Sequence, residues 1–410
     1  MLKKYTSNQD KINKINDIRE RIANAIIINV EIKRDEDAYE IFESTNAKGL
    51  ELSISDLLKN LIMKKLKKND AQKDQSKEKW QEITDNIDET NSELKKFIRY
   101  YWISKYSFTS EKKLYKEIKN KITDWKDFLN DIYLSSEIYN IILIGEETDF
   151  IKYKNGSKIY NSILALRIMN VSQCFVLFLS ILRNYEKLKT DPKRIFEIIE
   201  KFTFVYSIIS NLPSNKVEKL YSKSAVEIEH ACTNIENDEK RKKEIDRIFA
   251  NIETSLKSEL PTNNTVFLDN FQKLEYKNSE KYRKLIKYIL SSINYYLSKT
   301  KENKIDFNNV NIEHILPQKP DKTWHLAIKD IKKFVNNIGN LTLLDRKLNG
   351  SIQNKNINFK ILELQKSELP ITKDIVELLK TNNMQWNQSE IEQRSKSLSE
   401  LALNHVWKIK

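Results

Sequence analysis

Apolar residues recur at steps of three and four along most of this chain, and that spacing places them on one face of an α-helix. The clearest early example covers residues 8–28, where Ile12, Ile15, Ile18 and Ile22 are separated by polar and charged residues. These isoleucines would therefore lie on the same side of one helix. The pattern predicts an amphipathic helix near this end of the chain, and longer stretches further along predict many more.

Two charged segments interrupt the helical pattern. Residues 64–79, KKLKKNDAQKDQSKEK, contain almost no apolar side chains, which is typical of a linker or of a solvated helix start. Residues 80–300 return to a succession of helices, and that stretch ends in the polar run KTKENK. We therefore predict three domains, with the bounds 1–66, 67–300 and 301–410.

The third segment changes from a helical to a strand pattern. IDFNNVNIEHILP alternates around Val310 and Ile312 and is halted by Pro317, and IGNLTLLD is a second β-like stretch introduced by Gly339. LNGSIQNKNINFKILELQ follows as a helix after a turn, and a last helix with an apolar face covers 391–406. The predicted fold class is mainly α, with a multi-helix body and a small α+β unit near the carboxy terminus.

Residues 163–182, ILALRIMNVSQCFVLFLSIL, approach the length of a membrane span. Arg167, Asn170 and Gln173 fall inside this segment and would be costly in lipid. We therefore predict a buried core helix here and no membrane partner.

Composition narrows the class of protein. Five glycines in 410 residues argue against β-sandwiches, propellers and glycine-rich nucleotide loops. Two cysteines, Cys174 and Cys232, cannot build a disulfide framework or a cysteine-rich zinc cluster, and the amino terminus lacks the apolar core of a secretory signal. We expect a cytoplasmic protein, and its net charge of +13 suits a polyanionic partner without identifying one.

Candidate chemistry centres on one of four histidines. His314 follows Glu313 at the end of the first predicted strand, where alternate side chains point to opposite faces unless the strand bends or a metal gathers them. A histidine base and one hard cation can together hydrolyse a phosphodiester. Asn340 and Asn349 lie downstream, and such amide oxygens, with a carboxylate, suit Mg²⁺ or Mn²⁺.

Three segments carry a resemblance to a known family. EHILPQ at 313–318, IGNLTLLD at 338–345 and LNGSIQNKNINFK at 348–360 resemble the His-Asn-Asn version of the HNH (ββα-metal) nuclease motif. More narrowly, they resemble the carboxy-terminal nuclease domain of GmrSD-type modification-dependent (type IV) restriction endonucleases. That family also has a tryptophan after the first motif, which Trp324 matches, and a tail pattern. The tail is matched by Trp386, Ile391, Arg394, Leu398 and Trp407.

A fourth segment resembles the other half of the same family. FESTNAKGLELSISDLLKNLIM at 42–63 is similar to the closing segment of the DNA-sensing, nucleotide-using domain that precedes the nuclease, so 1–66 would be the truncated end of that domain. The D-G-Q-Q-R signature of its amino-terminal lobe does not occur here. Either a separate subunit supplies the NTPase lobe, or the chain is a truncated relic, and we expect no NTPase activity from this chain alone.

The resemblance implies a role for each site residue. His314 would be the general base that activates water, and Glu313 and Asn349 would hold Mg²⁺ or Mn²⁺. Asn340 would hold the hairpin and orient the base. Lys360 would contact phosphate, with a simple surface lysine as the alternative. Two asparagines further along compete with Asn349 for the metal-binding role, namely Asn354 and Asn358.

Charge supports a nucleic-acid substrate for the motif. Between Lys319 and Lys360 there are nine Lys and Arg against three Asp, and such a patch would give salt-sensitive, largely sequence-independent affinity. The predicted function is metal-dependent cleavage of modified, foreign DNA in anti-phage defence. The alternative is a non-catalytic DNA-binding or assembly subunit of such a system, and a weaker one is cleavage of RNA.

Overall fold

The computed structural model describes most of the chain, and the following bounds are those of the described residues: 8–25, 53–66, 70–298, 309–324, 326, 328–352 and 354–409. His325 and residues 42–52 of the fourth resembling segment lie outside them. Contacts divide the chain into two units, Met1–Asn60 and Leu61–Lys410. The predicted boundary near residue 300 stays a prediction.

Helices dominate the described chain, as the hydrophobic spacing predicts. In chain order the elements are α1 (Asn8–Ala23), α2 (Ile54–Leu66), α3 (Asp70–Asp88), α4 (Leu94–Lys105), α5 (Glu111–Lys121), α6 (Trp125–Ile144), α7 (Gly156–Met169), α8 (Phe175–Arg183), α9 (Tyr185–Leu188), α10 (Lys193–Thr203), α11 (Asn215–Asn234), α12 (Asp238–Glu259), α13 (Thr265–Gln272), α14 (Glu280–Leu297), β1 (Val310–His314), α15 (Ile328–Ile331), β2 (Leu341–Asp345), α16 (Arg346–Ile352), α17 (Ile357–Leu364), α18 (Pro370–Thr381) and α19 (Gln388–Leu401). The prediction of a mainly α protein is confirmed.

The apolar segment 163–182 is buried, but it is two helices rather than the single core helix predicted. The chain turns at Asn170, which has a φ of 58° and ends α7 before α8 begins. Arg167, near that end, donates hydrogen bonds to three backbone carbonyls at the end of α6 at distances of 2.5–2.7 Å. The guanidinium thus neutralises the exposed carbonyl dipoles of α6. Among the described helices, none combines the length and apolarity that crossing a bilayer requires.

A buried ion pair ties the helical body together. Arg183 on α8 contacts Glu229 on α11 at 2.9 Å, and Asn184 donates to the same carboxylate at 2.6 Å. Asn184 and Glu229 are buried and the Arg183 side chain is only 8% exposed, so an unpaired charge here would be costly. These contacts fix the orientation of α8 and α11 within the body.

The two strands pair antiparallel, with Val310 opposite Asp345 and His314 opposite Leu341. Residues 315–340 join them as a long connection that contains α15, so the unit is not a tight hairpin. The segment predicted as one helix after β2 is two helices, α16 and α17. The reason is Asn356, whose side chain accepts a hydrogen bond from the backbone of Phe359 and caps a new helix.

Helix α19 packs closely on the turn that precedes β2. A Cβ atom added at Gly339 would lie 2.0 Å from the carbonyl oxygen of Ile391, so glycine is needed for this approach. Arg394 donates to the carbonyls of Gly339 and Leu341, each at 2.7 Å. The carboxy-terminal tail therefore holds the start of β2 in place.

Candidate active site

The last two residues of β1 form the centre of the site, and the helices after β2 supply their partners. Asn349 on α16 donates its amide N–H to Glu313 Oε2 at 2.9 Å. Lys360 on α17 places its ammonium 2.6 Å from Glu313 Oε1 and 2.6 Å from the carbonyl oxygen of His314. The strand-then-helix order of the sequence thus brings the side chains of Glu313, Asn349 and Lys360 together, and His314 joins them through its backbone carbonyl.

Lys360 is fully buried, which excludes the alternative of a surface lysine. Burial lowers the pKa of this ammonium, and burial also raises the pKa of Glu313. The attraction between the two charges opposes both shifts, because each charged group stabilises the other. In this arrangement the ammonium contacts the strand end rather than solvent.

His314 makes a separate set of contacts on the other side of the strand end. Its Nε2 lies 3.2 Å from Asn336 Oδ1, which also accepts a hydrogen bond from Gln318 Nε2 at 2.6 Å. The edge of the ring meets Tyr276 with centroids 5.0 Å apart. Burial lowers the pKa of His314 to about 4, so the imidazole is neutral at pH 7. With Nε2 donating to Asn336, the lone pair resides on Nδ1.

Asn340 lies in the interior and uses all four of its amide hydrogen-bonding positions. Its Nδ2 donates to the carbonyls of Leu316 at 2.8 Å and Val335 at 2.7 Å. Its Oδ1 accepts from the backbone N–H of Leu316 and from Trp386 Nε1, both at 2.9 Å. The side chain ties the residues that follow His314 to β2 and to the tail, so it positions the site without access to a substrate.

The competing asparagines lie elsewhere. Asn354 and Asn358 are exposed, whereas Asn349 is partly buried against Glu313. Next to Asn354, the backbone carbonyl of Lys355 accepts a hydrogen bond from Trp324 Nε1 at 3.0 Å. This bond holds the connection between the strands against the segment just before α17.

Sequence reasoning missed two residues that contact His314. Tyr276 lies well upstream of the motif, whereas Asn336 lies between its first two segments, and the backbone N–H of Tyr276 donates to the carbonyl of Asn336 at 2.8 Å. No local pattern marks either residue, since an isolated tyrosine and an asparagine in a loop are common. Their role follows from the packing of the segment before α14 onto the segment before β2.

A cleft of about 380 Å³ lies beside Asn349. Asn311 and Ile312 of β1 line one side of it, and Tyr276 lines another. Side chains of α14 complete the lining, namely Glu280, Arg283, Lys284 and Lys287. The sequence does carry a signal for this surface, because these four recur at steps of one, three and four on one helical face.

The donor atoms suit a hard cation of the Mg²⁺ or Mn²⁺ class. A half-turn of the Asn349 amide would place its oxygen where Nδ2 now lies, 2.9 Å from Glu313 Oε2. Two neighbouring octahedral ligands of Mg²⁺ are about 3 Å apart, given metal–oxygen distances of about 2.1 Å. Within the described residues, no cluster of three or more His, Cys, Asp and Glu side chains could hold a metal.

Comparison with known proteins bears on the whole of this site. Residues 261–401 match the family model of the C-terminal domain of GmrSD restriction endonucleases. This GmrSD-type region runs from just before α13 to the end of α19, so it contains every site residue and the cleft described above. It also begins upstream of the predicted boundary at 300. No curated protein matches the chain. The match indicates a role of the restriction-endonuclease type, and therefore a DNA substrate.

Proposed function

We propose that this chain is an HNH-type endonuclease that hydrolyses DNA phosphodiester bonds with Mg²⁺ or Mn²⁺. It would act in the cytoplasm in a GmrSD-like restriction system directed at modified foreign DNA, with a separate subunit supplying the NTPase lobe. The observation that carries the proposal is the contact of Glu313 with Asn349 beside His314, inside a region of GmrSD type. The Glu313–Asn349 contact links β1 to the helix that follows β2, and His314 is the next residue of β1.

His314 is the general base in this proposal. Its neutral imidazole can take a proton from water at Nδ1, because the Nε2 proton is held by Asn336. The edge contact with Tyr276 restricts rotation of the ring. These two contacts keep the accepting nitrogen at a fixed position relative to the end of β1.

Glu313 and Asn349 would hold the cation through one carboxylate oxygen and one amide oxygen. When bound, the cation would supply charge stabilisation to the phosphate and to the departing 3′ oxygen. Lys360 keeps the other carboxylate oxygen, Oε1, and the carbonyl of His314 in position. Because its ammonium is buried, we assign Lys360 a positioning role rather than contact with phosphate.

One observation favours the second candidate function, a non-catalytic DNA-binding or assembly subunit. The carboxylate of Glu313 is already neutralised by the ammonium of Lys360 at 2.6 Å. A site that holds this ion pair permanently would bind a divalent cation weakly, because the carboxylate charge is shared. The two candidates differ in whether metal binding displaces part of this arrangement.

The test is cleavage of plasmid DNA, modified and unmodified, with Mg²⁺, with Mn²⁺ and with a chelator. His314→Ala should lower the cleavage rate by about 100-fold or more, since a general base contributes about 10²–10⁴-fold. Glu313→Gln should do the same and should weaken binding of Mn²⁺ measured by electron paramagnetic resonance. His230→Ala is the matched control, because His230 is exposed on α11, and its rate should stay at the wild-type level.

The outcome separates the two candidates. Cleavage that requires metal and His314 would establish the nuclease. A folded wild-type chain that binds DNA but neither binds Mn²⁺ nor cuts, with or without the separate subunit, would favour the non-catalytic candidate.

A further inference from the structure

The side chains that line the cleft beside Asn349 carry more positive than negative charge. Along α14 its lining residues share one helical face and comprise one carboxylate and three cationic side chains. Glu280 forms an ion pair with Lys284 at 2.7 Å, so it neutralises a cation of its own helix. Arg283 is exposed and Lys287 is partly buried one turn further along. A concave surface with an excess of one charge concentrates its field on a ligand of the opposite charge.

The cationic face of α14 is fixed relative to the candidate active site. The segment before α14 pairs with the segment before β2 through backbone hydrogen bonds, from Tyr276 to Asn336 at 2.8 Å and from Ile338 to Leu274 at 2.9 Å. Tyr276 lines the cleft and also touches His314. One residue therefore contacts both the proposed base and the space that the cations face.

The spacing of the cations suits an extended polyanion. Arg283 and Lys287 lie four residues apart, which separates them by about 6 Å along the helix axis. Asn311 of β1 also lines the cleft and offers an amide that can donate to phosphate or sugar oxygens. The lining therefore combines three cations, one carboxylate, an amide and a tyrosine next to a candidate metal ligand, Asn349.

We propose that this cleft binds the DNA backbone, with Arg283 and Lys287 contacting the phosphates that flank the bond to be cut. The inference rests on the proposed function and identifies residues that position its substrate. Contacts of this kind carry no base information, so recognition of a modified base would be made elsewhere. The proposal commits to DNA because the surrounding region is of the restriction-endonuclease type.

The test is the salt dependence of binding to a short fluorescent DNA duplex, measured by anisotropy in EDTA so that no metal-dependent cleavage occurs. The variant Arg283→Gln with Lys287→Gln should bind about tenfold more weakly or worse, and the slope of log K against log salt should fall by about 1.8. Lys113→Gln with Lys116→Gln is the matched control, because it removes the same charge from exposed positions on α5, and its slope should change much less. The charge-preserving double variant Arg283→Lys with Lys287→Arg should keep the salt slope of the wild type.

Each outcome bears on one proposal only. If the glutamine pair and the α5 control lose the same slope, the cleft proposal is wrong while the nuclease can still stand on the His314→Ala result. If the glutamine pair alone loses affinity but wild-type protein never cuts, the cleft stands and the nuclease falls. A matched RNA duplex that loses affinity when the DNA does not would overturn the choice of DNA.

Discussion

Replacing Asn340 with alanine should loosen the candidate site from within. The change leaves four buried polar groups without their partner, namely two carbonyls, one backbone N–H and the indole N–H of Trp386. A net contribution of about 1 kcal/mol per hydrogen bond gives a loss of about 4 kcal/mol. That is a large fraction of the roughly 5–15 kcal/mol that stabilises a typical domain. The loss should therefore open the strand unit locally even if the helical body stays folded.

Hydrogen exchange measured by mass spectrometry reports this local opening. Peptides that cover the amide of Leu316 should exchange about a thousandfold faster in Asn340→Ala, since about 1.4 kcal/mol corresponds to a factor of ten. Asn354→Ala is the matched control, because that asparagine is exposed, and its exchange should equal that of the wild type. Acceleration of less than about tenfold at Leu316 would refute the reasoning, because the four hydrogen bonds would then contribute almost nothing.

A same-size variant separates the donors from the acceptors of this amide. Asn340→Asp keeps an oxygen for the two N–H groups but offers no amide hydrogens to the carbonyls of Leu316 and Val335. Burial raises the pKa of such a carboxyl, so the folded variant binds a proton that its unfolded state releases. Its stability relative to wild type should therefore decrease as pH rises from 5 to 8, measured by urea unfolding. A pH-independent difference would contradict this account.

Three further predictions follow from buried contacts. Lys360→Met should lower the free energy of unfolding by about 3–5 kcal/mol, because it leaves the buried carboxylate of Glu313 without its cation. Urea titration measures this loss. An unchanged midpoint of urea unfolding would count against a stabilising ion pair. Gly339→Ala should lower the stability of the protein by at least about 2 kcal/mol, because the added methyl group clashes with α19. Gly350→Ala should be neutral or stabilising, because no heavy atom lies within 4 Å of its added Cβ. Equal melting temperatures of the two variants would contradict the close approach of α19 to Gly339. Cys174 and Cys232 are buried, and burial raises the pKa of both thiols, that of Cys232 to about 11. Iodoacetamide at pH 8 should therefore label these cysteines only after the protein unfolds. Rapid labelling of the native protein would disprove this prediction.

Local pattern was enough to predict the two strands and a mainly helical chain. Alternation around Ile312 predicted β1, and the spacing of apolar residues predicted a mainly helical protein, because both periods are set by backbone geometry. Two predicted helices were too long, at Asn170 and before Asn356. In each case an asparagine adopted a turn or a cap, and apolar periodicity does not report such local hydrogen bonding.

The site itself was only partly predictable. The motif indicated Glu313 and Asn349, and the structure places their side chains in contact. The burial of Lys360 could not be foreseen, because lysine is rarely fully buried unless it is paired. Tyr276 and the cations of α14 were missed for a different reason. They reach the site through pairing between segments about sixty residues apart, and no sequence period encodes such contacts.

The pairing of the segment before α14 with the segment before β2 determines where this chain can be cut into fragments. A fragment cut at residue 301 would keep every residue of the nuclease motif, yet it would lack the neighbour that holds the imidazole edge and one whole wall of the cleft. The smallest autonomous piece should instead begin near residue 261, where the GmrSD-type region begins. A boundary drawn where the hydrophobic period changes would separate two segments that are joined by backbone hydrogen bonds, from Tyr276 to Asn336 and from Ile338 to Leu274.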